Sequence, residues 1–418
     1  MNLLRDDRIG APARQTAAAV CLRVDVTVAL CLATSRVAVR WSRGEKETSP
    51  LSKIVVITGA GAGVVRATAT EFARNGCDVA LLSRDPERLE HATAELRRFG
   101  IRALPIPTDV ADAAAVEAAA DRVEQELGAI DVWVNVAMAT VFAPVHKLTA
   151  EEFRRGTAVT YLGQVHGTMA ALKYMRPRNQ GSIVSVGSAL AYRSVPLQSI
   201  YCGAKFAIRG FLDSLRSELY HDKINVTLTA VDLPAVNTPQ FDWARNKMGK
   251  KAQPVPPIYQ PEVAARAIYF GAFHPRRQIW VGVPTVKAIL ANRIAPGLID
   301  RYLAKFGYSG QLTAEPSDPE APGNLYEPVA GAYGAQGRFD AQARSTTREM
   351  FTSRHRNALW AAVAVGVLAG AHLVAKRLKV QGRPAPALLG WRRHATQPRT
   401  PGRRETTPPR GLDRRKPG

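Results

Sequence analysis

The chain has 418 residues, 46% hydrophobic and 22% charged, which excludes both a disordered protein and one built mainly of membrane spans. Its four cysteines, Cys21, Cys31, Cys77 and Cys202, form no CxxC pair, so neither a disulfide scaffold nor a zinc ribbon is encoded. The formal charge is +22, but +11 of it lies in residues 376–418, which have a single aromatic, Trp391, and no recognised binding module, so it does not indicate a nucleic-acid partner.

Residues 1–50 form an N-terminal extension with no assigned role, expected to be disordered. Their apolar patches at 17–39 are broken by Arg23, Asp25 and Arg36, which fits neither a signal peptide nor a spanning helix. Over 51–284 the pattern becomes regular. Short apolar runs at 54–57, 79–82, 131–136, 182–186, 225–231 and 279–283 read as buried strands, and Ala-rich stretches at 66–75, 86–99 and 113–127 show helical periodicity. Strands alternating with helices predict an α/β fold with a doubly wound parallel sheet.

Residues 285–308 read as an amphipathic helical extension (Val286, Ile289, Leu290, Ile294, Leu298, Tyr302) that Pro296 kinks or splits. Residues 309–353 have the Pro/Gly-rich composition of a linker. Residues 357–375 are a candidate transmembrane or membrane-associated helix. Within it, 358–375 has only His372 as a polar residue and is flanked by Arg354, Arg356, Lys376, Arg377 and Lys379. At about 1.5 Å per residue those 18 residues reach about 27 Å, marginal against a hydrocarbon core of about 30 Å. Residues 376–418 are a basic tail, expected to be disordered and to favour a membrane surface. The expectation is one folded domain with appendages, facing the cytoplasm and membrane-associated through the apolar helix.

The first strand runs into Thr58-Gly59-Ala60-Gly61-Ala62-Gly63-Val64-Val65-Arg66, and a helix follows. Glycines at such a turn let the backbone approach a pyrophosphate that the helix N-terminus then stabilises. At the tip of the second strand, Leu82-Ser83-Arg84 has no acid to bind the ribose 2′-hydroxyl of NAD. An arginine there suits the 2′-phosphate of NADP through charge-assisted hydrogen bonds, so NADP is expected over NAD. The alternative is an exposed arginine balanced by Asp85.

Further on, Ser188 follows a strand, and Tyr201 and Lys205 stand four residues apart. In a helix the two share a face, where an ammonium could depress a phenol pKa toward the working pH of an acid/base tyrosine. His146, His166 and His221 lack metal-ligand spacing, and no metal site is expected. Phe142, Leu190, Tyr192, Phe241 and Trp243 are candidates for an apolar substrate site, although core packing explains them equally well.

These residues resemble the short-chain dehydrogenase/reductase family over about 51–283. The matching pieces are Thr58, Gly59 and Gly63 of its TGxxxG, the Thr108-Asp109-Val110 turn, Asn135-Val136-Ala137 for its NNAG, Ser188, Tyr201 and Lys205, and 233–238 for its PGxxxT. The resemblance implies a Rossmann-like fold and an oxidoreductase moving a hydride between nicotinamide and a carbonyl or alcohol. It implies that Tyr201 is the general acid/base, that Lys205 holds the nicotinamide ribose and that Ser188 orients the substrate oxygen. The cofactor would lie along Thr58, Gly59, Gly61, Gly63, Val64, Arg84, Asp109, Val110, Asn135, Ala137, Tyr201, Lys205, Pro234 and Thr238, with Asp109 near the adenine. A homo-oligomer is expected by analogy.

Four positions depart from the family. Val65 replaces the last glycine of the loop, Val136 the second Asn and Met138 the Gly of NNAG, and Thr160 the Asn that normally helps hold a relay water. They keep a second reading open, a binding or scaffold protein that retains the fold without turnover.

Overall fold

The computed structural model describes residues 52–347, apart from 60 and 332, and a helix at 356–380. The N-terminal extension and the tail beyond 380 lie outside the described residues.

Seven parallel strands form the main sheet: β1 (Ile54–Thr58), β2 (Asp78–Ser83), β3 (Ala103–Pro107), β4 (Ile130–Asn135), β6 (Gly181–Ser188), β7 (Val226–Leu233) and β11 (Gln278–Trp280). Their order is β11-β7-β6-β4-β1-β2-β3, which reverses direction beside β1, where doubly wound sheets bind ligands at the strands' carboxyl ends. The centre of the sheet is covered on both faces, so its strands are continuous apolar runs: every residue of IVVIT in β1 is buried.

Helices α1 (Val64–Arg74), α2 (Pro86–Arg97) and α8 (Pro261–Phe273) cover one face, burying Phe72, Leu89, Leu96 and Ile268 against it. Helices α3 (Ala113–Glu126), α5 (Gly163–Met175) and α6 (Ser199–His221) cover the other, burying Val116, Met175 and Leu219. Local chemistry fixes the starts of these helices. The Asp85 carboxylate accepts from the Arg88 amide ahead of Pro86, and Asp112 accepts from Ala114 and Ala115. Helix α4 (Ala150–Thr157) begins with a Thr149/Glu152 capping box.

Pro296 splits the amphipathic stretch into α9 (Val283–Ile294) and α10 (Pro296–Phe306), with the proline in the first turn of the second. Its apolar face does not simply dock: Ile289 is buried, whereas Leu290, Ile294, Leu298 and Tyr302 are exposed.

Strand β5 (Val141–Phe142) pairs parallel with β8 (Arg245–Asn246). The segment read as a linker is packed on the domain. Strand β12 (Leu312–Pro316) pairs antiparallel with β9 (Lys250–Ala252), and β13 (Ala343–Arg344) pairs parallel with β10 (Ile258–Tyr259). Leu325 between them is fully buried.

The C-terminal helix α11 (Arg356–Val380) has 25 residues, yet among the described residues no helix is long and apolar enough to cross a membrane. The transmembrane expectation for 357–375 is therefore corrected. Half of residues 358–375 are Ala or Gly, side chains that bury little apolar surface each.

Candidate active site

The glycine loop after β1 has the backbone its sequence requires. Gly59 (φ 84°) sits so close to the end of β4 that a Cβ would lie 2.8 Å from the Ala137 Cα. Gly63 (φ 66°) is the N-cap of α1, whose first turn has neither a side-chain cap nor an acid. Its N–H donates to the Gly334 carbonyl at 3.0 Å.

Thr58 and Asn135 lie beneath this cleft rather than in it. The Thr58 hydroxyl accepts from the Val136 and Ala137 amides at 3.1 and 3.4 Å, tying β1 to β4. The Asn135 side chain accepts from Trp133 Nε1 at 2.9 Å and donates to Thr168 at 3.0 Å. The other expected cofactor residues, Gly59, Gly61, Gly63, Val64, Arg84, Asp109, Val110, Ala137, Tyr201, Lys205, Pro234 and Thr238, line one cavity of about 650 Å³.

Arg84 and Asp109, which both line the cavity, interact electrostatically. The Asp109 carboxylate accepts from the Ala111 amide at 3.0 Å and from Arg155 at 2.6 Å. Burial pushes its pKa up, but these donors hold it below the ordinary aspartate value. Burial, with Arg155 nearby, lowers the Arg84 pKa. The Arg84 guanidinium donates to the Asn324 carbonyl at 2.7 Å and to the Tyr326 carbonyl.

In the same cavity, β6 delivers Ser188 and the start of α6 delivers Tyr201 and Lys205. Leu197, at φ 70°, turns the chain just before this helix. Ser188 Oγ accepts from the Leu190 amide at 3.1 Å and stands near enough to the Tyr201 hydroxyl to favour its ionised form. Lys205 is buried; its Nζ donates to the Val186 carbonyl at 2.7 Å and lies 5.4 Å from the Tyr201 ring centroid.

The expected depression of the Tyr201 pKa is not found in this arrangement. Loss of solvent pushes it up to about 12, with Ser188 only partly opposing. Burial also holds Lys205 down to about 8, against the attraction of Asp232. The ammonium stands over the phenol ring and spends its short hydrogen bond on a carbonyl. Asp232 is itself buried, pushed up to about 6, and accepts from the Tyr192 hydroxyl at 2.8 Å. Tyr192 is therefore a core residue, whereas Phe142, Leu190, Phe241 and Trp243 line the cavity.

Several lining residues carry no signal in the sequence. Arg88 and Arg193 have guanidinium Nε atoms buried without a partner. Arg193 also ties α9 and α10 to the chain after β6 through Asn292 at 3.2 Å and Asp300 at 2.6 Å. Ala288, Ile299 and Leu303 supply part of the cavity wall. The periodicity of 285–308 revealed helices but not which of their residues turn toward a cavity.

Three of the departures have structural explanations. Val65 is 6% exposed and packs with Val55, Ile57 and Val236 in the core. Val136 is buried as well. The Thr160 hydroxyl accepts from the Ala139 amide at 2.9 Å and donates to the Ala139 carbonyl at 3.0 Å, within a single π-turn at Ala158–Leu162. It clamps the loop after β4 with both its hydrogen-bonding functions. These departures leave Ser188, Tyr201 and Lys205 in one cleft.

A family model described as short chain dehydrogenase matches residues 53–248. A protein of Bacillus subtilis (strain 168) named "Uncharacterized oxidoreductase YxnA" is 32% identical over 330 residues, spanning 78% of this chain and 91% of that protein. The chain belongs to the short-chain dehydrogenase family. The 2,3-dihydro-2,3-dihydroxybenzoate dehydrogenase of the same organism is 36% identical over 194 residues, 46% of this chain and 72% of the relative. A solved structure of NAD+-bound xylitol dehydrogenase matches with a TM-score of 0.43 and 29% identity over 44% of this chain and 72% of that one; so partial an overlap does not bear on cofactor choice. As a short-chain dehydrogenase the chain is an oxidoreductase acting on CH–OH or C=O groups with a nicotinamide cofactor. Of the two readings left open by the sequence, the family supports the enzyme.

The cleft fits a dinucleotide on its own evidence. Its glycine loop admits no Cβ at Gly59, and the cavity continues from Arg84 and Asp109 to Tyr201.

Proposed function

We propose that this short-chain dehydrogenase is NADP-dependent and transfers a hydride between nicotinamide and the carbonyl or alcohol carbon of an apolar small molecule, with Tyr201 as the general acid/base. The observation carrying this reading is that Ser188, Tyr201 and Lys205 line one cavity together with Arg84.

When bound, the cofactor supplies or accepts the hydride. In the reductive direction the Tyr201 phenol gives its proton to the substrate oxygen as the carbon gains the hydride. A phenol whose pKa is pushed up to about 12 is protonated at neutral pH but a weak acid, so its donation depends on the nearby Lys205 charge stabilising the phenolate as it forms. Ser188, which lines the same cavity as Tyr201, orients the same oxygen and stabilises its developing charge. The Lys205 ammonium offsets the negative charge left on Tyr201 and is a donor for the nicotinamide ribose. Phe142, Leu190 and Phe241 favour an apolar substrate body and exclude water from the transfer.

Arg84 supports the choice of NADP, because a guanidinium pairs with a phosphate dianion and gains little from a hydroxyl. Fluorescence titration with NADPH and NADH tests this. The expected result is tighter binding of NADPH by about tenfold or more, largely lost in Arg84→Ala. Equal affinities, or tighter binding of NADH, would contradict it.

A further inference from the structure

Residues 312–344 run beside the cofactor cleft as a strap. One end is held by β12 on β9 and the other by β13 on β10. Between them, Leu325 is fully buried in the core of the α3/α5 face, and Phe339 packs edge-on to Phe241 at 6.1 Å. The Tyr333 ring meets Trp243 at 4.5 Å, and the Arg88 guanidinium stands 5.2 Å from each ring.

What the strap offers the cleft is a row of backbone carbonyls. Those of Asn324 and Tyr326 accept from Arg84, that of Leu325 from Arg155 at 3.1 Å, that of Val329 from Arg88, and that of Gly334 from the Gly63 amide at 3.0 Å. Arg84 and the Gly63 amide are groups that would meet phosphate oxygens, the first at a 2′-phosphate and the second at the glycine loop. The strap therefore satisfies with neutral acceptors the donors that a charged ligand would claim.

The two kinds of acceptor are not equal. A guanidinium–phosphate contact is charge-assisted and about twice as strong as a hydrogen bond between neutral groups. A ligand displaces a competing contact only by the difference it makes there. A 2′-phosphate brings a better acceptor than a carbonyl, while a 2′-hydroxyl brings no gain.

We propose that the strap is a specificity element of the cofactor site. Its Asn324 and Tyr326 carbonyls stand in for 2′-phosphate oxygens, so that a nucleotide bearing the phosphate releases the strap from Arg84 and one bearing only the hydroxyl does not. This rests on the reading of Arg84 as the 2′-phosphate ligand. The strap then sets how much of the Arg84 attraction NADPH realises, since NADPH must displace the carbonyls while NADH leaves them in place.

The test compares KM for NADPH and NADH in the full chain and in Leu325→Ala and Tyr333→Ala, which loosen the strap's buried anchor and its aromatic contact without altering Arg84. Each variant is expected to lower KM for NADPH by several-fold, up to about tenfold, and to leave KM for NADH nearly unchanged, so that the ratio widens. Amides of 324–334 in the unmodified chain should exchange hydrogen faster with NADPH and at an unchanged rate with NADH, a readout that holds if a variant fails to fold. An unchanged KM ratio in folded variants, or the same exchange response to both nucleotides, overturns the proposal. Failure of the underlying NADP reading looks different: the unmodified chain would prefer NADH, or Arg84→Ala would leave its preference intact.

Discussion

Burial governs Lys205 more than any neighbouring charge does. Its pKa is lowered from 10.5 to about 8 by desolvation, with Asp232 acting in the opposite sense. The ammonium is therefore present below about pH 8 and lost as pH rises through it. Because kcat/KM reports ionisations of the free enzyme, carbonyl reduction should have a kcat/KM that is level below pH 8 and falls about tenfold per unit above it. A profile that stays flat to pH 10 would contradict this role. The spacing of Tyr201 and Lys205 was legible because helical geometry is local. Their ionisation was not, because it depends on what β6 and β7 pack around them. Val65 teaches the same lesson from the other side. In sequence it is a missing glycine that threatens cofactor binding; in the fold it borders the cavity, but its side chain is buried and belongs to the core cluster. Val65→Gly should therefore destabilise the chain by about 2–3 kcal/mol, from the lost packing and the helical glycine, and should not tighten NADPH binding. Thermal melts and a nucleotide titration of this variant measure both.

Among the elements, the join between α4 and the segment after α7 (Gln240–Trp243) depends on one carboxylate. Glu152 is buried and accepts from Arg245 and Lys247, both at 2.7 Å, while completing the Thr149 capping box. Burial pushes its pKa up, but Lys247, the Thr149 amide and Arg245 overcome that and hold it at about 2, below its ordinary 4.5. A depressed carboxylate contributes stability that is fully present above 4.5 and lost as pH falls toward 2. Glu152→Gln should cost about 3 kcal/mol at neutral pH, since it leaves two cations facing a neutral amide. Denaturant melts should show the gap between variant and parent closing between pH 4.5 and 2; a gap independent of pH would rule out the ionic account. The capping box can be read as Thr-x-x-Glu in the sequence. Its cationic partners cannot, because they lie more than 90 residues away. Likewise, the periodicity of 285–308 and its break at Pro296 are local features, whereas its orientation over the cavity is set by Arg193 reaching Asn292 and Asp300.

For the whole molecule, the alternating pattern over 51–284 was enough to foresee the doubly wound sheet, since each strand and helix buries its own apolar face. The strap was hidden for a physical reason. It has few buried apolar side chains, Leu325 and Phe339 among them, and much of its order comes from backbone carbonyls taken up by Arg84, Arg88 and Arg155. Such contacts leave no periodicity, and Pro/Gly composition then reads as a linker. The charge excess likewise belongs mainly to appendages: half of it lies beyond residue 375, while single arginines in the cleft carry the argument for the cofactor. The central claim concerns Tyr201 as the proton donor, and it is tested most directly by NADPH oxidation at 340 nm with a panel of apolar aldehydes and ketones, comparing the parent chain with Tyr201→Phe. The account predicts turnover in the parent that falls by about 10²–10⁴-fold in the variant, with NADPH affinity retained. Undiminished turnover in Tyr201→Phe would contradict it.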